Sequence, residues 1–402
     1  MPILDIDNKT HWPALAVELP ASAQDIRRRA RAVASAEIAP HVQAIEQTGR
    51  IPSDLWPKLG EVGLLGITVA PAYGGLGLGY LEHLVAMEEI SRVSAAVGLS
   101  YLVHSHACVN QIHLNGSDEQ KRRFLPPLVS GHAVGGLAMT EADSGSDVLN
   151  MRTRVERREG GYRLNGRKAW ISNAPVADVM VVYACSEPSP ERPRLTTFVL
   201  ERSLPGYHAD PPRETLGLHG CAIGDIVLED CLATEAHRLG PWNGGTQVLM
   251  SGLALERLVA SGGPLGLMQA CADIAVSQAR TRRQFGQPIG AFQLMQGKLA
   301  DMVTTLNAGR AYAYAVGAAM ARGTAHRFDS AGLLLFVGER ASWLASEALQ
   351  TFGASGYDAA SEAARLLRDA KFFSIGFGTN EIRRIVIGRD FLRGHEIDMN
   401  CY

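Results

Sequence analysis

The spacing of apolar residues changes twice along the chain, and this bounds the fold more tightly than any other feature. From residue 21 to about residue 128, apolar side chains recur at three- and four-residue steps, as in Ile26, Ala30 and Val33 or Leu81, Leu84, Val85, Met87 and Ile90. That period predicts amphipathic helices, broken at Pro52, Pro71 and the turn from Gly74 to Gly79. Between about residues 135 and 239, short β-type runs at 155–164, 179–184, 195–200 and 226–228 replace them. After Gly244 and Gly245 the helical period returns in long segments at 246–283, 291–322, 330–351 and 359–373. An order of helices, strands and helices predicts an α+β chain, mostly α, with units at residues 1–134, 135–244 and 245–402.

Composition excludes several classes of function. The chain carries 39 basic and 41 acidic residues, so its formal charge of −2 provides no field to draw it to nucleic acid or an anionic membrane surface. Its longest apolar stretches, such as residues 333–337, fall far short of the ~20 residues that a membrane-spanning helix needs. The six cysteines are scattered without a C-x-x-C pair, which points to free thiols and no zinc site. His104 and His106 stand two apart, on different faces of a helix, so they do not share a metal. Residues 1–10 mix Asp5, Asp7 and Lys9 without a targeting pattern, so a cytoplasmic protein is expected. No G-x-G-x-x-G turn follows a strand pattern, and no P-loop is present.

One residue stands out chemically. Leu249, Leu253, Glu256, Ala260, Gly263 and Leu267 follow one another at helical steps, which places a carboxylate on an apolar stripe. Burial raises a carboxyl pKa toward the range of a general base at neutral pH. A salt-bridged structural glutamate would show the same pattern. In the same segment, Gly262, Gly263 and Pro264 weaken the helix and imply close approach of another helix or a ligand. The hydroxyl-rich run from Thr140 to Asp147 offers backbone N–H groups and small donors to a planar polar ligand, or forms a plain turn. Trp170, Ile171, Ser172 and Asn173 end a strand pattern beside it. Arg282 and Arg283 precede a helix-ending glycine and proline, an arrangement suited to phosphate or to a helix dipole.

Taken in this order, these segments resemble the acyl-CoA dehydrogenase family from the N-terminal helices to about Arg393, with the greatest likeness to its isovaleryl-CoA dehydrogenase branch. The resemblance implies an N-terminal helical domain, a middle β domain and a C-terminal four-helix bundle, assembled as a homotetramer with one FAD per subunit. By the same likeness Leu137, Met139, Thr140, Ser146, Trp170, Ile171 and Ser172 would hold the flavin ring and ribityl chain. Arg282, Phe285, Gln293, Gln350 and Gly353 would bind the diphosphate and adenine across a subunit interface, and Thr379 and Glu381 would complete the site. Leu99, Ser146, Gln247, Arg257, Ala260, Phe373, Gly376, Phe377 and Gly378 would face the substrate.

Most of the family places its catalytic glutamate just before a Gly-Thr pair near the C-terminus, where this chain has Phe377. The isovaleryl branch takes its base from a Leu-Glu-Arg-Leu helix motif, present here as Leu255, Glu256, Arg257 and Leu258, so resemblance and helical period point to the same residue. The implied reaction is removal of the α-proton of a short or branched acyl thioester by Glu256, with hydride passing from the β-carbon to FAD. The Phe377 backbone N–H and a ribityl hydroxyl would polarise the thioester carbonyl, and an electron-transfer flavoprotein would take the electrons. The chain departs from the branch at Ala254, Gln247, Phe377 and the turn of His219, Gly220 and Cys221. These departures keep open an unusual or carrier-protein-tethered acyl group as substrate, with a non-catalytic flavin-binding homologue as a further alternative.

Overall fold

The computed structural model describes residues 18–189 and 193–393. Residues 1–10 and Cys401 lie outside the described residues, and with them the expectation of no targeting pattern and that of one free thiol. The first zone folds as α1 (Ala21–Val33), α2 (Val42–Thr48), α3 (Leu55–Glu61), α4 (Tyr80–Val93), α5 (Ala95–Leu102), α6 (Gln111–Asn115) and α7 (Asp118–Val129). The period works as expected in α1, where Ala23, Ile26, Ala30 and Val33 are the buried face. A π-helical stretch, Val103–Asn110, continues α5 and is buried along its whole length.

The strands form one mixed sheet from β1 (Gly135–Ala138), β2 (Arg154–Arg158), β3 (Gly161–Ser172), β4 (Val179–Glu187), β5 (Arg194–Glu201), β6 (Tyr207–Ala209), β7 (Ile223–Ala233) and β8 (Arg238–Leu239). The strand order is β6-β7-β3-β2-β4-β5-β8, with β1 laid parallel on β4. The expected run at 155–164 is two strands, because the backbone reverses at Gly160 with φ +80°. Val155 and Leu164 pair across that hairpin, so apolar spacing continues on both sides of the turn and hides it.

The last zone folds as α8 (Gly245–Ala260), α9 (Gly262–Thr281), α10 (Gln293–Ala321), α11 (Arg327–Phe352), α12 (Glu362–Phe372) and α13 (Asn380–Arg393). The expected continuous segment 246–283 divides at Ser261. Pro264 has no amide to give the Ala260 carbonyl, so the helical ladder loses one rung there.

Helix α9 lies unusually close to α4. A Cβ on Gly262 would stand 2.5 Å from the Leu84 carbonyl oxygen, and one on Gly266 would stand 2.4 Å from that of Glu88. Buried ion pairs lock the same junction. Arg310 of α10 donates to Glu88 at 2.8 Å, where Tyr314 also donates at 2.5 Å, and Arg92 donates to Asp273 of α9 at 2.6 Å. One apolar core therefore runs through α1, α4, α5 and α8–α12, while a second lies between α6, α7 and the sheet and reaches Val248 and Leu249 of α8. Among the described residues no helix is long and apolar enough to cross a membrane, and no His, Cys, Asp and Glu group could hold a metal ion. Cys108, Cys185, Cys221, Cys231 and Cys271 are free and buried.

Candidate functional site

Helix α8 carries the site's carboxylate into the protein. Its first residue, Gly245, sits so tightly on β5 that a Cβ would be 2.7 Å from the Leu195 carbonyl carbon. Val248 and Leu249 then enter the second core, and Gly252 passes against Gln111 of α6. One turn further on, Glu256 makes no hydrogen bond or ion pair with any described residue. Its side chain keeps a little accessible surface, yet protein surrounds the carboxyl densely enough that burial pushes its pKa up to about 7, with Arg257 acting in the opposite direction. A glutamate left unpaired in such a place is poised to take a proton near neutral pH.

A second wall comes from the turn between α12 and α13. Phe377 holds φ +60°, a left-handed conformation uncommon for a bulky residue. Arg383, fully buried, pins that turn by donating to the carbonyls of Phe373 at 2.8 Å and Gly376 at 2.5 Å and to Asn380 Oδ1 at 2.6 Å. Burial first, and then the neighbouring Arg257 charge, lowers the Arg383 pKa to about 10. The Phe373 ring lies under Gly263 of α9, where a Cβ would be 2.5 Å from it. Leu99, Ala260 and Phe373 thereby share one core, with Phe377 packed against it. Gly376 and Gly378 flank Phe377 half-buried, Arg257 is buried, and Gln247 is exposed at the start of α8.

The third wall is the end of the sheet. Leu137, Met139 and Thr140 leave β1 half-buried beside Ser172, and Trp170 stands 55% exposed at a bulge in β3 with φ +62°. Ile171 points the other way into the sheet core, so only its backbone faces this side. Asn173 ties the wall to the helices by donating to the carbonyls of Ser100 on α5 at 3.0 Å and Gly135 on β1 at 3.1 Å. Ser146 is exposed on the adjoining loop.

That loop is anchored by a pair that no spacing rule singles out. Lys168, fully buried in β3, donates to Glu141 at 2.9 Å and to the Met139 carbonyl at 3.0 Å, and Glu141 also accepts from the amides of Arg152 and Thr153. Burial lowers the Lys168 pKa to about 8. Burial works to raise that of Glu141, but the Lys168 charge and the hydrogen bonds outweigh it and keep the carboxyl below its ordinary value. The available signal was a lysine flanked by strand residues in an otherwise inward-facing position.

Arg282, Phe285, Gln293, Gln350 and Gly353 form another group, all exposed, where α9 and α11 end and α10 begins. The Ile289 amide donates to the Arg282 carbonyl at 2.8 Å, and Lys298 pairs with Glu347 to tie α10 to α11 there. Thr379 and Glu381 line a cleft between α11, α12 and α13, together with Glu339, Ser342, Lys371 and Ser374.

Glu256 is thus an unpaired, raised-pKa carboxylate on an apolar helix stripe, and the sheet edge of Leu137, Met139 and Thr140 is half-buried. The chain matches the acyl-CoA dehydrogenase N-terminal domain over residues 20–132, the middle domain over residues 136–231 and the C-terminal domain over residues 243–392. The chain belongs to the acyl-CoA dehydrogenase family. It is 46% identical to isovaleryl-CoA dehydrogenase, mitochondrial, of Solanum tuberosum over 362 residues, 90% of this chain and 88% of that protein. It is equally identical, over the same shares, to 2-methylacyl-CoA dehydrogenase, mitochondrial, of the same plant. The solved structure of butyryl-CoA dehydrogenase from Megasphaera elsdenii superposes with a TM-score of 0.90 at 30% identity, covering 94% of this chain and all of that one.

As an acyl-CoA dehydrogenase this chain is an FAD-dependent oxidoreductase, and its residues fit the flavin. Leu137 and Met139 give an apolar shelf that is only partly covered, Thr140 and Ser172 edge it with hydroxyls, and the buried Lys168–Glu141 pair stiffens the loop that borders it. A planar ring with polar edges suits such a shelf.

Proposed function

We propose that this acyl-CoA dehydrogenase oxidises a short branched acyl-CoA of the isovaleryl type at its α,β bond. The observation that carries this reading is Glu256, an unpaired carboxylate whose pKa is about 7, one helical turn before Ala260 on α8 and next to Arg257, whose charge reaches the Arg383 that pins the Phe377 turn. Bound FAD supplies the two-electron acceptor for the β-hydride. Leu137, Met139, Thr140, Ser146, Trp170 and Ser172 would hold its ring, the exposed group of Arg282, Phe285, Gln293, Gln350 and Gly353 would serve its phosphates and adenine, and Thr379 and Glu381 would complete the site.

Glu256 takes the α-proton onto its carboxylate. The Phe377 amide, fixed by the carbonyl clamps of Arg383, donates to the thioester oxygen as charge develops there; such a donor contributes roughly several kcal/mol. Leu99, Ala260 and Phe373 exclude water around the acyl chain, which preserves the basicity of the carboxylate. The α C–H bond releases its proton to Glu256, the β C–H bond releases its electron pair as hydride, and the enoyl thioester leaves.

Exposed Phe285, Leu294 and Tyr357 support assembly into a homotetramer, because apolar side chains this open call for cover. Electrons would then pass to an electron-transfer flavoprotein. The test is anaerobic addition of isovaleryl-CoA and 2-methylbutyryl-CoA to the holoenzyme. Rapid bleaching of the flavin band by isovaleryl-CoA is expected, and no bleaching by either compound overturns the reading.

A further inference from the structure

Three buried side chains carry hydrogen-bonding atoms that complete no hydrogen bond. His106 is 1% exposed with both ring nitrogens unpaired, Asn110 is 0% exposed with Nδ2 unpaired, and His83 is 1% exposed with Nδ1 unpaired. Buried polar atoms of this kind are rare enough that each requires an explanation. They also lie together. The rings of His83 and His106 are 5.7 Å apart, Tyr80 packs edge-on to His106 at 5.9 Å, and Tyr80 and Thr68 both donate to Asn110 Oδ1, at 3.3 and 3.0 Å.

The surrounding bonds set what this nest offers. Ser105 spends its only proton on the Tyr101 carbonyl at 2.7 Å, so it accepts from His83 Nε2 at 2.9 Å, and His83 Nδ1 is a bare acceptor. Asn110 Nδ2 is a free donor, and a neutral His106 has one nitrogen of each kind. Desolvation holds both rings neutral at pH 7: the pKa of His106 falls to about 4 and that of His83 lies well below its ordinary value, with no carboxylate or guanidinium acting on either. A carboxylate would meet no cation here and would strip its own hydration for nothing. A hydroxyl both donates and accepts, and so complements the nest.

The nest also lies against α8, the helix that carries the base. Leu99, Val103 and His106 follow at four- and three-residue steps along α5 and its π-helical continuation, a form concentrated at functional sites. His106 faces the Gly252 carbonyl of α8 without reaching full hydrogen-bond geometry. Glu256 is four residues further along α8, roughly 6 Å in helical rise.

The geometry points to a hydroxyl-recognising subsite for the far end of the acyl chain, built from His106, Asn110 and His83, so that beside isovaleryl-type substrates this enzyme takes acyl thioesters bearing a neutral hydroxyl beyond the β-carbon and prefers them to their alkyl parents. The inference rests on the dehydrogenase reading above and deepens it. Sites that hydrogen-bond a substrate hydroxyl favour it over the analogue of the same length lacking it, because their own buried groups are then left unpaired.

The test uses the holoenzyme with straight-chain acyl-CoAs of four to seven carbons, each as the alkyl, ω-hydroxy and ω-carboxy form, and with isovaleryl-CoA alongside. At one chain length the ω-hydroxy compound is expected to exceed its alkyl parent in kcat/KM by on the order of tenfold or more, and the ω-carboxy compound to fall below both. His106→Leu and Asn110→Leu are each expected to bring the hydroxy-to-alkyl ratio close to one. If alkyl compounds or isovaleryl-CoA reduce the flavin but no length shows a hydroxyl preference, the nest holds only water and the subsite is refuted while the dehydrogenase reading stands. Preference for the carboxylate, or a preference that survives both substitutions, also overturns it. Flavin reduction by none of the thioesters overturns the dehydrogenase reading itself.

Discussion

Replacing Glu256 with glutamine separates the cost of burying the base from its use. The folded-state pKa is about 7 against an ordinary 4.5, and about 2.5 units at 1.36 kcal/mol per unit come to roughly 3 kcal/mol. The carboxyl keeps some accessible surface, and solvent screening reduces this to about 1–3 kcal/mol. The sign follows from proton counting. Between the two pKa values the folded state holds the extra proton, so stability falls as pH rises through this window; the penalty is absent below about pH 4.5 and complete above about pH 7. Glutamine keeps the shape and never ionises. At pH 8 the holoenzyme of Glu256→Gln should therefore be more stable than wild type by about 1–3 kcal/mol, roughly 1–4 °C in Tm at this chain length, and the two should converge near pH 4.5. Over the same range wild-type flavin reduction by isovaleryl-CoA should climb about tenfold per pH unit below 7 and then level off, whereas the variant should lose about three orders of magnitude or more at every pH. Thermal unfolding at two pH values and anaerobic stopped-flow bleaching measure both sides. A variant less stable than wild type at pH 8, or one that still reduces its flavin within tenfold of the wild-type rate, would refute the assignment of Glu256 as a buried base.

Phe377→Ala keeps a residue without glycine's freedom at the same left-handed position while removing bulk, so kcat/KM should rise for bulkier acyl-CoAs relative to isovaleryl-CoA; an unchanged acyl profile would show that the ring does not line the pocket. Lys168→Met leaves the Glu141 carboxylate buried without its cation, which should cost about 3 kcal/mol or more and lower FAD retention, read by thermal unfolding and flavin content. Gly262→Ala places a Cβ 2.5 Å from the Leu84 carbonyl and 2.9 Å from the Glu88 amide, both backbone atoms of α4. The Tm should drop, and the midpoint of the pH–rate profile should move to lower pH as Glu256 gains solvent; a lowered Tm with an unmoved midpoint would disconnect that contact from the base.

The three zones were readable because every element buries one face, and burial imposes a period of 3.6 or 2 on the chain. Glu256 was readable for the same reason, as the one charge on the apolar stripe of α8. Features that depend on a partner distant in sequence left little mark. The hairpin turn at Gly160 hides inside continuous alternation, and the division at Ser261 depends on one missing amide. The Lys168–Glu141 pair joins residues 27 apart in sequence across a sheet edge. His106 could be read only as unsuited to share a metal with His104. Its meaning comes from α4 and α8 closing around it, and only coordinates show that neither ring nitrogen finds a partner.

Glycine connects the legible part to the rest. In sequence the 42 glycines are a compositional surplus. In the structure several mark places where a helix carrying the chemistry must touch backbone or rings: Gly245 on β5, Gly262 and Gly266 on α4, and Gly263 over Phe373. Each contact brings α8 and α9 nearer to the sheet and to α4 than a Cβ would permit. Glu256 shares α8 with the first of these contacts and sits just before the others, so the close packing that glycine allows also limits the water around its carboxyl. The raised pKa thus follows from the packing of the whole junction rather than from a single neighbour, since burial is its cause and the Arg257 charge works against it. A base made this way needs no dedicated partner, but it is sensitive to every residue that sets the distance between α8, α9 and α4.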